Sequence, residues 1–411
     1  MLCSKIISVG AVLITAGIIN RSLGPSGRGI VAEMQTWVGL FAVIFNISMS
    51  TAIYHFANKS LYGSDDKEKF ITMFYTGFLY AVLAALSLTA FAYLMPWYFS
   101  AEFGKYILLL DIFLITLMTA TNFSVFIQSL GNLRYPAIVA VVQSAVNILV
   151  IGGAYTLGAI NVRFALISLL IFHGVAIAML CVGFIKAGFF KGKFSTDIAK
   201  GMLTAGVKQH IATISTFVYT KINQIIVFKY CGDYEAGIFA VSLNIAFAII
   251  FIPATLQTVL YPRVIHSDDD FEVTIRTLRV GFYGWGFMVI LIMFFAKPIL
   301  LIYGGKEFLP SVSSFRILMI AAWFLPLSSL LAPYYVKKGA FGIASLSAVV
   351  LGVISMGLNL LLVPKYASIG AAWATAITCL SGFLGVLALL WYLSQKNPLV
   401  IFKPNLIKTF K

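Results

Sequence analysis

The sequence predicts an all-α polytopic membrane protein with about 12 transmembrane helices, arranged as two parallel-repeat halves of six helices around a central cavity. Three observations predict this fold. The chain is 61% hydrophobic and 10% charged over 411 residues, whereas water-soluble domains carry roughly 25% charged residues. Apolar runs of about 20 residues, the length that crosses a bilayer, recur from end to end. Two short motifs also reappear half a chain apart.

The apolar runs define twelve candidate spans. They lack the alternation of apolar and polar residues that marks the strands of a membrane barrel, so we interpret them as helices. Their boundaries, each uncertain by about four residues, are 3–20, 36–57, 70–95, 107–130, 137–157, 164–185, 203–228, 236–260, 278–302, 314–336, 340–362 and 371–393.

The recurring motifs divide these spans into two copies of one unit. The spacing of two glycines and an isoleucine repeats at an offset of 208, and an Asn/Gly/Ala spacing repeats at 212. Gly and Ala are common in membrane helices, so one marker could arise by chance, but two similar offsets favour duplication. Six spans per copy make the repeats parallel, as in many transporters. The markers are Gly24/Gly29/Ile30 with Gly232/Gly237/Ile238, and Asn147/Gly158/Ala159 with Asn359/Gly370/Ala371.

The predicted domains follow from this duplication. Residues 1–185 and 203–393 form the two six-helix bundles, 186–202 is a basic cytoplasmic linker able to lie on the membrane surface, and 394–411 is a basic cytoplasmic tail. Loops on the side of the termini carry 18 Lys and Arg residues and the opposite loops carry 8, which predicts cytoplasmic termini. The net charge of +15 suits anionic lipid headgroups, so it requires no nucleic-acid partner.

Polar residues within spans mark hydrated cavities or ion paths, because they are costly to place in lipid. Span 7 is the richest. At 100° per residue, one polar stripe contains His210, Thr213, Phe217, Lys221 and Gln224. Lys221 is a candidate anion contact near mid-membrane, and its alternative is to extend toward the outer headgroups. Lys208, on the opposite face, is a further candidate cation.

Asp111 in span 4 is predicted to be the only carboxylate inside a span. It is a candidate for coupling to a proton or sodium ion, and its alternative is an interfacial position near the end of the span. The sequence has no Walker lysine motif, so ATP is not expected to drive transport. The four histidines are too scattered for a zinc triad, and we predict no catalytic residue, metal or cofactor.

The chain resembles the polysaccharide branch of the multidrug/oligosaccharidyl-lipid/polysaccharide exporter superfamily, the Wzx-like flippases. The resemblance covers nearly the whole chain and rests on "NRSLGPSGRG", "TKINQIIVFKYCGDYEAGIFAVS" and "VPKYASIGAAWATAI". It implies a MATE-like fold in the bacterial inner membrane. The family commonly has an aspartate two residues after the span 7 cation, where this chain has Asn223. A titratable role is therefore not transferred to Asn223, and Asp111 and His210 remain the coupling candidates.

The resemblance also implies a substrate. Wzx-like proteins move undecaprenyl-pyrophosphate-linked oligosaccharides, of the O-antigen or capsule type, across the membrane, and the partners expected from the resemblance are a polysaccharide polymerase and a chain-length regulator. On this interpretation Arg21 and Lys221 attract the headgroup, Arg28 stays in the outer loop, a proton or sodium gradient resets a monomeric carrier, and access alternates between the two sides. The alternatives are an exporter of drugs or other amphiphiles with the same fold, and a membrane-embedded polymerase or glycosyltransferase.

Overall fold

The computed structural model describes residues 2–56, 66–267, 269–338 and 341–402, and these ranges are almost entirely helical. They contain thirteen α-helices: α1 (Leu2–Phe45), α2 (Met49–Phe56), α3 (Asp66–Leu94), α4 (Ile107–Ser129), α5 (Arg134–Thr156), α6 (Val162–Lys186), α7 (Thr196–His266), α8 (Asp270–Val280), α9 (Gly286–Phe294), α10 (Ala296–Gly304), α11 (Ser311–Leu330), α12 (Ala332–Lys337) and α13 (Phe341–Ser394).

Nine helical segments within the described residues are long and apolar enough to cross a membrane. Three of them, in α1, α7 and α13, have 40, 55 and 50 residues, about twice the length that one crossing needs. Each of these three contains one residue with non-helical backbone angles. Divided there, the nine segments give the twelve spans of the sequence prediction, which confirms the predicted fold class.

The break in α1 explains the glycine- and proline-rich stretch after the first span. Gly24 has φ 64° and ψ −178°, angles that a residue with a Cβ rarely adopts. Pro25 then occupies the first position of the resumed helix, where its missing N–H is not needed. A straight helix of 44 residues would be about 66 Å long, so Gly24 is where one span ends and the next begins.

The backbone conformations allow a second comparison of the two halves. Gly232 in α7 has φ 82° and ψ −176°, nearly the angles of Gly24, at the predicted offset of 208. The sequence pairs Gly158 with Gly370, but in the structure the positive φ of Gly158 (62°) has its counterpart at Ala367 (48°). That pair is 209 residues apart, close to the offset of 208 between Gly24 and Gly232.

Ala367 occupies a backbone conformation that favours glycine, with φ 48° and ψ −132°. We expect Ala367→Gly to stabilise the protein by about 1 kcal/mol, because glycine relieves the steric cost of this region. The measurement is the midpoint of thermal unfolding in detergent. The matched control is Ala374→Gly in the regular part of α13, which should lower the midpoint. A lower midpoint for Ala367→Gly would contradict the prediction.

The chain divides into two compact units, residues 1–217 and 218–411. The division lies within α7, whereas the sequence predicts a linker at 186–202. The first part of α7 belongs to unit 1, because Gly206 packs directly against the backbone carbonyl of Ile47. Unit 1 also contains an aromatic cluster in which the ring of Phe70 lies 4.2 Å from that of Phe184.

Unit 2 has its own buried core, formed by α7, α9, α10, α11 and α13 around residues such as Phe239 and Phe315. Within it, a π-helical turn at Gly281–Trp285 joins α8 to α9. Two indoles fasten this turn to α11. Trp285 Nε1 donates to the carbonyl of Ala322 at 2.8 Å, and Trp323 Nε1 donates to the carbonyl of Phe282 at 3.1 Å. Such turns are common at functional positions, and this one is held by hydrogen bonds.

The segment after α13 is also attached to unit 2. A short 3₁₀ helix at Pro398–Phe402 places its carbonyls next to α8 and the π-turn. Arg279 Nη2 donates to the carbonyl of Val400, and the Tyr283 hydroxyl donates to the carbonyl of Phe402, both at 2.8 Å. The first part of the predicted tail, residues 394–402, is therefore packed against the bundle, and residues 403–411 lie outside the described residues.

Candidate functional site

Polar side chains within the spans form separate groups in the two units. In unit 1 they lie on α1, α3, α4 and the first part of α7. In unit 2 they lie on the rest of α7 and on α13. The predicted site residues are distributed over both groups, so each group is described in turn.

Glu33 on α1 is a buried carboxylate that the sequence prediction places outside a span. Its side chain has 0% exposure. Oε1 accepts a hydrogen bond from the backbone N–H of Ser100 at 2.9 Å, while Oε2 has no hydrogen-bond partner within the described residues. Asp111 is therefore not the only carboxylate inside a span. The prediction and the structure differ at Glu33 because the predicted span 2 begins at residue 36, whereas the helix resumes at Pro25.

Trp37 lies one helical turn beyond Glu33. Its indole packs 4.8 Å from the ring of Phe99 and 5.6 Å from that of Phe91, and Nε1 is buried with no hydrogen-bond partner in the described part of the chain. Residues four apart share a helical face. This face of α1 thus presents a buried acceptor, Glu33 Oε2, and a buried donor, Trp37 Nε1, which a hydroxyl group or an ordered water could satisfy.

The two arginines near the break differ in burial. Arg21, expected to enter the cavity, is exposed. Arg28, expected to remain in the outer loop, lies in the resumed helix with 7% exposure, and its Nη1 lies 3.4 Å from Oε1 of Gln35. Arg28 lies in a helix and not in the predicted loop because the helix begins immediately after Gly24.

Asp111 on α4 is tied to α3. The hydroxyl of Thr89 donates to Oδ2 of Asp111 at 2.6 Å, whereas Oδ1 is buried without a hydrogen-bond partner among the described residues. The residue as a whole is half-buried. A carboxylate with one engaged and one open oxygen can still accept a proton or a cation.

The first part of α7 carries Lys208, which is exposed, and His210, which is half-buried. Nδ1 of His210 is buried without a hydrogen-bond partner in the described ranges. The hydroxyl oxygen of Thr213 lies 2.9 Å from that of Ser48, so Thr213 joins α7 to the break between α1 and α2. In this part of the predicted stripe, Thr213 has a packing role.

In unit 2, the continuation of α7 brings Lys221, Asn223 and Gln224 into different surroundings. Lys221 is half-buried, with Nζ 5.0 Å from the centre of the Phe247 ring. Asn223 Nδ2 donates to the hydroxyl of Thr375 at 2.9 Å, and Gln224 Nε2 donates to the carbonyl of Ala236 at 2.8 Å. Both amides are buried in the core of unit 2, so Lys221 is the member of this trio that retains exposure.

Comparisons with known proteins identify a family and a set of similar solved structures. Residues 18–313 match a family described as "Polysaccharide biosynthesis protein". No curated protein sequence matches the chain. The solved structures that are similar include an inward-facing multidrug resistance MATE family transporter of the MOP superfamily, with TM-score 0.70 and 13% identity, covering 95% of this chain and 99% of the other.

Two further structures have the same fold. One is the lipid II flippase MurJ in an inward closed conformation, with TM-score 0.67 and 17% identity, covering 100% of this chain and 90% of the other. The second is the Vibrio cholerae MATE transporter VcmN, with TM-score 0.67 and 14% identity, covering 96% of both chains. At these identities the likeness shows a shared fold, which other substrates can also use.

Proposed function

The chain belongs to the polysaccharide biosynthesis protein family, and we propose that it is a flippase for undecaprenyl-pyrophosphate-linked oligosaccharide repeat units of the O-antigen or capsule type. It carries them from the cytoplasmic to the periplasmic leaflet of a bacterial inner membrane by alternating access. In this proposal the protein is a secondary-active transporter of the antiporter type and not an enzyme, and both its termini are cytoplasmic.

One combined observation carries this proposal. The match to a polysaccharide biosynthesis family covers residues 18–313, and the fold of a lipid II flippase extends over the whole chain. The family match supports a polysaccharide precursor as the transported substrate, and the flippase fold supports a substrate that is attached to a lipid. A lipid-linked oligosaccharide satisfies both.

The cations of the candidate site suit such a substrate. A pyrophosphate headgroup with a hydrophilic glycan cannot cross about 30 Å of hydrocarbon unaided. We assign Arg21, Lys208 and Lys221 to attracting the headgroup. The guanidinium of Arg21 offers a planar fork for two phosphate oxygens, and the half-buried Lys221 offers a point charge in surroundings of lower dielectric constant than water.

The coupling ion in this proposal is a proton or sodium ion, with no other cofactor. Asp111 and His210 are the titratable candidates. Asn223 and Gln224 cannot titrate, and their hydrogen bonds to Thr375 and Ala236 support a positioning role near Lys221. The other partners in the proposal are the lipid bilayer, a polysaccharide polymerase and a chain-length regulator, and the carrier is a monomer.

A deletion strain tests the substrate. Without this protein, undecaprenyl-linked repeat units should accumulate on the cytoplasmic side and surface polysaccharide should disappear, and both should be restored by the gene in trans. Normal polymer in the deletion strain, without such accumulation, would overturn the proposal.

A second candidate function is the export of drugs or other amphiphiles. It is favoured by the likeness to a multidrug resistance transporter at TM-score 0.70. The same deletion strain distinguishes the two, because a drug exporter predicts increased sensitivity to cationic drugs with unchanged surface polysaccharide.

Asp111→Asn should remove the response of transport to an imposed ion gradient. The amide keeps the size of the side chain and can still accept from Thr89, but it cannot exchange a proton and binds a cation more weakly. The measurement is movement of a lipid-linked oligosaccharide in proteoliposomes under proton and sodium gradients. Asp197→Asn, at an exposed position, is the matched control. A variant at Asp111 that still responds would exclude it from coupling.

A further inference from the structure

The segment between α6 and α7 is fixed to unit 1 on one side. The ring of Phe189 packs 5.6 Å from that of Phe184 and 5.5 Å from that of Phe70. The backbone N–H of Ser195 donates to the hydroxyl of Thr72 at 3.0 Å. At Gly192 the chain passes so close to the carbonyl of Lys67 that a side chain would not fit. The segment is therefore held at the beginning of α3.

The other side of the same segment is exposed and carries aromatic and basic side chains. Phe190 is 39% exposed and Phe194 47% exposed, and the lysines around them are exposed as well. We call this surface the lysine–phenylalanine patch, formed by Phe190, Lys191, Lys193, Phe194 and Lys200. From residue 186 to residue 200 the chain contains four lysines and one acidic residue, Asp197.

The exposed face of α3 shows at what depth the patch lies. An apolar stripe with high exposure runs along this helix from Tyr75 to Tyr93 through Leu79, Leu83 and Leu86. Eighteen residues of helix rise about 27 Å, close to the roughly 30 Å of the hydrocarbon core. Tyrosine is enriched at the two membrane–water interfaces, so we place the two boundaries of the core at Tyr75 and Tyr93.

The patch is adjacent to one of these boundaries. The ring of Phe194 lies 6.4 Å from that of Tyr75, and the ring of Phe190 lies 5.8 Å from that of Phe74. The two phenylalanine rings thus lie at the end of the apolar stripe, and the exposed lysines Lys191 and Lys193 are their neighbours in the chain. Basic side chains beside interfacial aromatic rings are the combination that binds anionic membranes.

We propose that the lysine–phenylalanine patch is a binding site for anionic phospholipid, with the lysines contacting phosphate and the two phenylalanine rings inserted between acyl chains. Fixed by Phe189, Gly192 and Ser195, the patch needs no folding on the membrane, so little conformational entropy is lost on binding. The proposal is independent of which substrate the protein transports.

The test uses the purified full-length protein in detergent, titrated with phosphatidylglycerol or phosphatidylcholine and followed by native mass spectrometry. The wild type should bind phosphatidylglycerol in preference to phosphatidylcholine. Replacing Lys191, Lys193 and Lys200 together with glutamine should weaken phosphatidylglycerol binding by about tenfold or more and leave phosphatidylcholine binding unchanged. A Phe190→Ser/Phe194→Ser variant should weaken the binding of both lipids.

The matched control replaces three exposed lysines elsewhere, Lys297, Lys306 and Lys365, with glutamine. It makes the same change in net charge and should leave phosphatidylglycerol binding at the patch unchanged. The proposal is wrong if the patch variant binds phosphatidylglycerol as the wild type does, or if the control variant loses as much binding. Unchanged thermal unfolding of both triple variants shows that the comparison is between folded proteins.

Discussion

Replacing Lys221 with alanine is expected to abolish surface polysaccharide while leaving the amount of protein in the membrane unchanged. Lys221 is half-buried, and its Nζ lies 5.0 Å from the centre of the Phe247 ring. Contacts to a charged group in such surroundings contribute about 1.5–3 kcal/mol each, so losing one should slow transport by roughly ten- to a hundredfold. Cell-surface polymer and membrane protein are measured in the same cultures.

Two variants separate the charge of Lys221 from its bulk. Lys221→Arg keeps a cation and should retain a substantial part of the polymer. Lys221→Met keeps an unbranched chain of similar length without the charge and should fail as alanine does. Lys306→Ala, at an exposed position, should have no effect. Normal polymer from Lys221→Ala would show that this lysine does not contact the substrate.

Gly370→Val is expected to prevent the protein from folding. A Cβ at Gly370 would collide with the backbone carbonyl of Leu362 and crowd the backbone nitrogen of Val363. Backbone atoms cannot move aside as a flexible side chain can, so we expect the free energy of unfolding to fall by about 3 kcal/mol. The measurement is the yield of monodisperse protein. Glycine is thus required at this position of the second repeat marker because there is no room for a side chain, and not because of its backbone angles.

The matched control for Gly370→Val lies on the same helix. Gly357 is also in α13, and a Cβ there would have no heavy atom within 4 Å. Gly357→Val should therefore express and unfold nearly as the wild type does. Equal yields of the two valine variants would mean that the close approach at Gly370 does not limit folding.

The twelve spans are predictable because each is a long apolar run, a property of the sequence alone. The breaks at Gly24 and Gly232 are predictable too, since glycine at a regular offset indicates a special backbone conformation. The break at Ala367 falls between the predicted spans 340–362 and 371–393, so its approximate place is predictable as well. Its residue is not, because alanine favours helix and carries no sign of a positive φ. The glycine pattern therefore points to Gly370, which lies after the break.

The candidate site is less predictable than the fold. The cations and Asp111 are easily found in an apolar sequence, but the sequence does not show which of these side chains are buried. Glu33 falls outside the predicted span because the prediction begins the second helix at residue 36 and not at Pro25. The bond of Asn223 to Thr375 joins residues 152 apart, and a periodic pattern on one helix contains no information about such a partner. The stripe on α7 therefore predicts a common face but not the separate partners of its members.

The contacts of the C-terminal 3₁₀ helix have a practical consequence for protein engineering. Arg279 and Tyr283 both donate to main-chain carbonyls, those of Val400 and Phe402. Side chains at these two positions can change without removing the acceptors, but the chain itself has to be present. A purification tag or fluorescent fusion should therefore be attached after residue 402, since an earlier junction would leave a guanidinium and a phenol of unit 2 to find new acceptors.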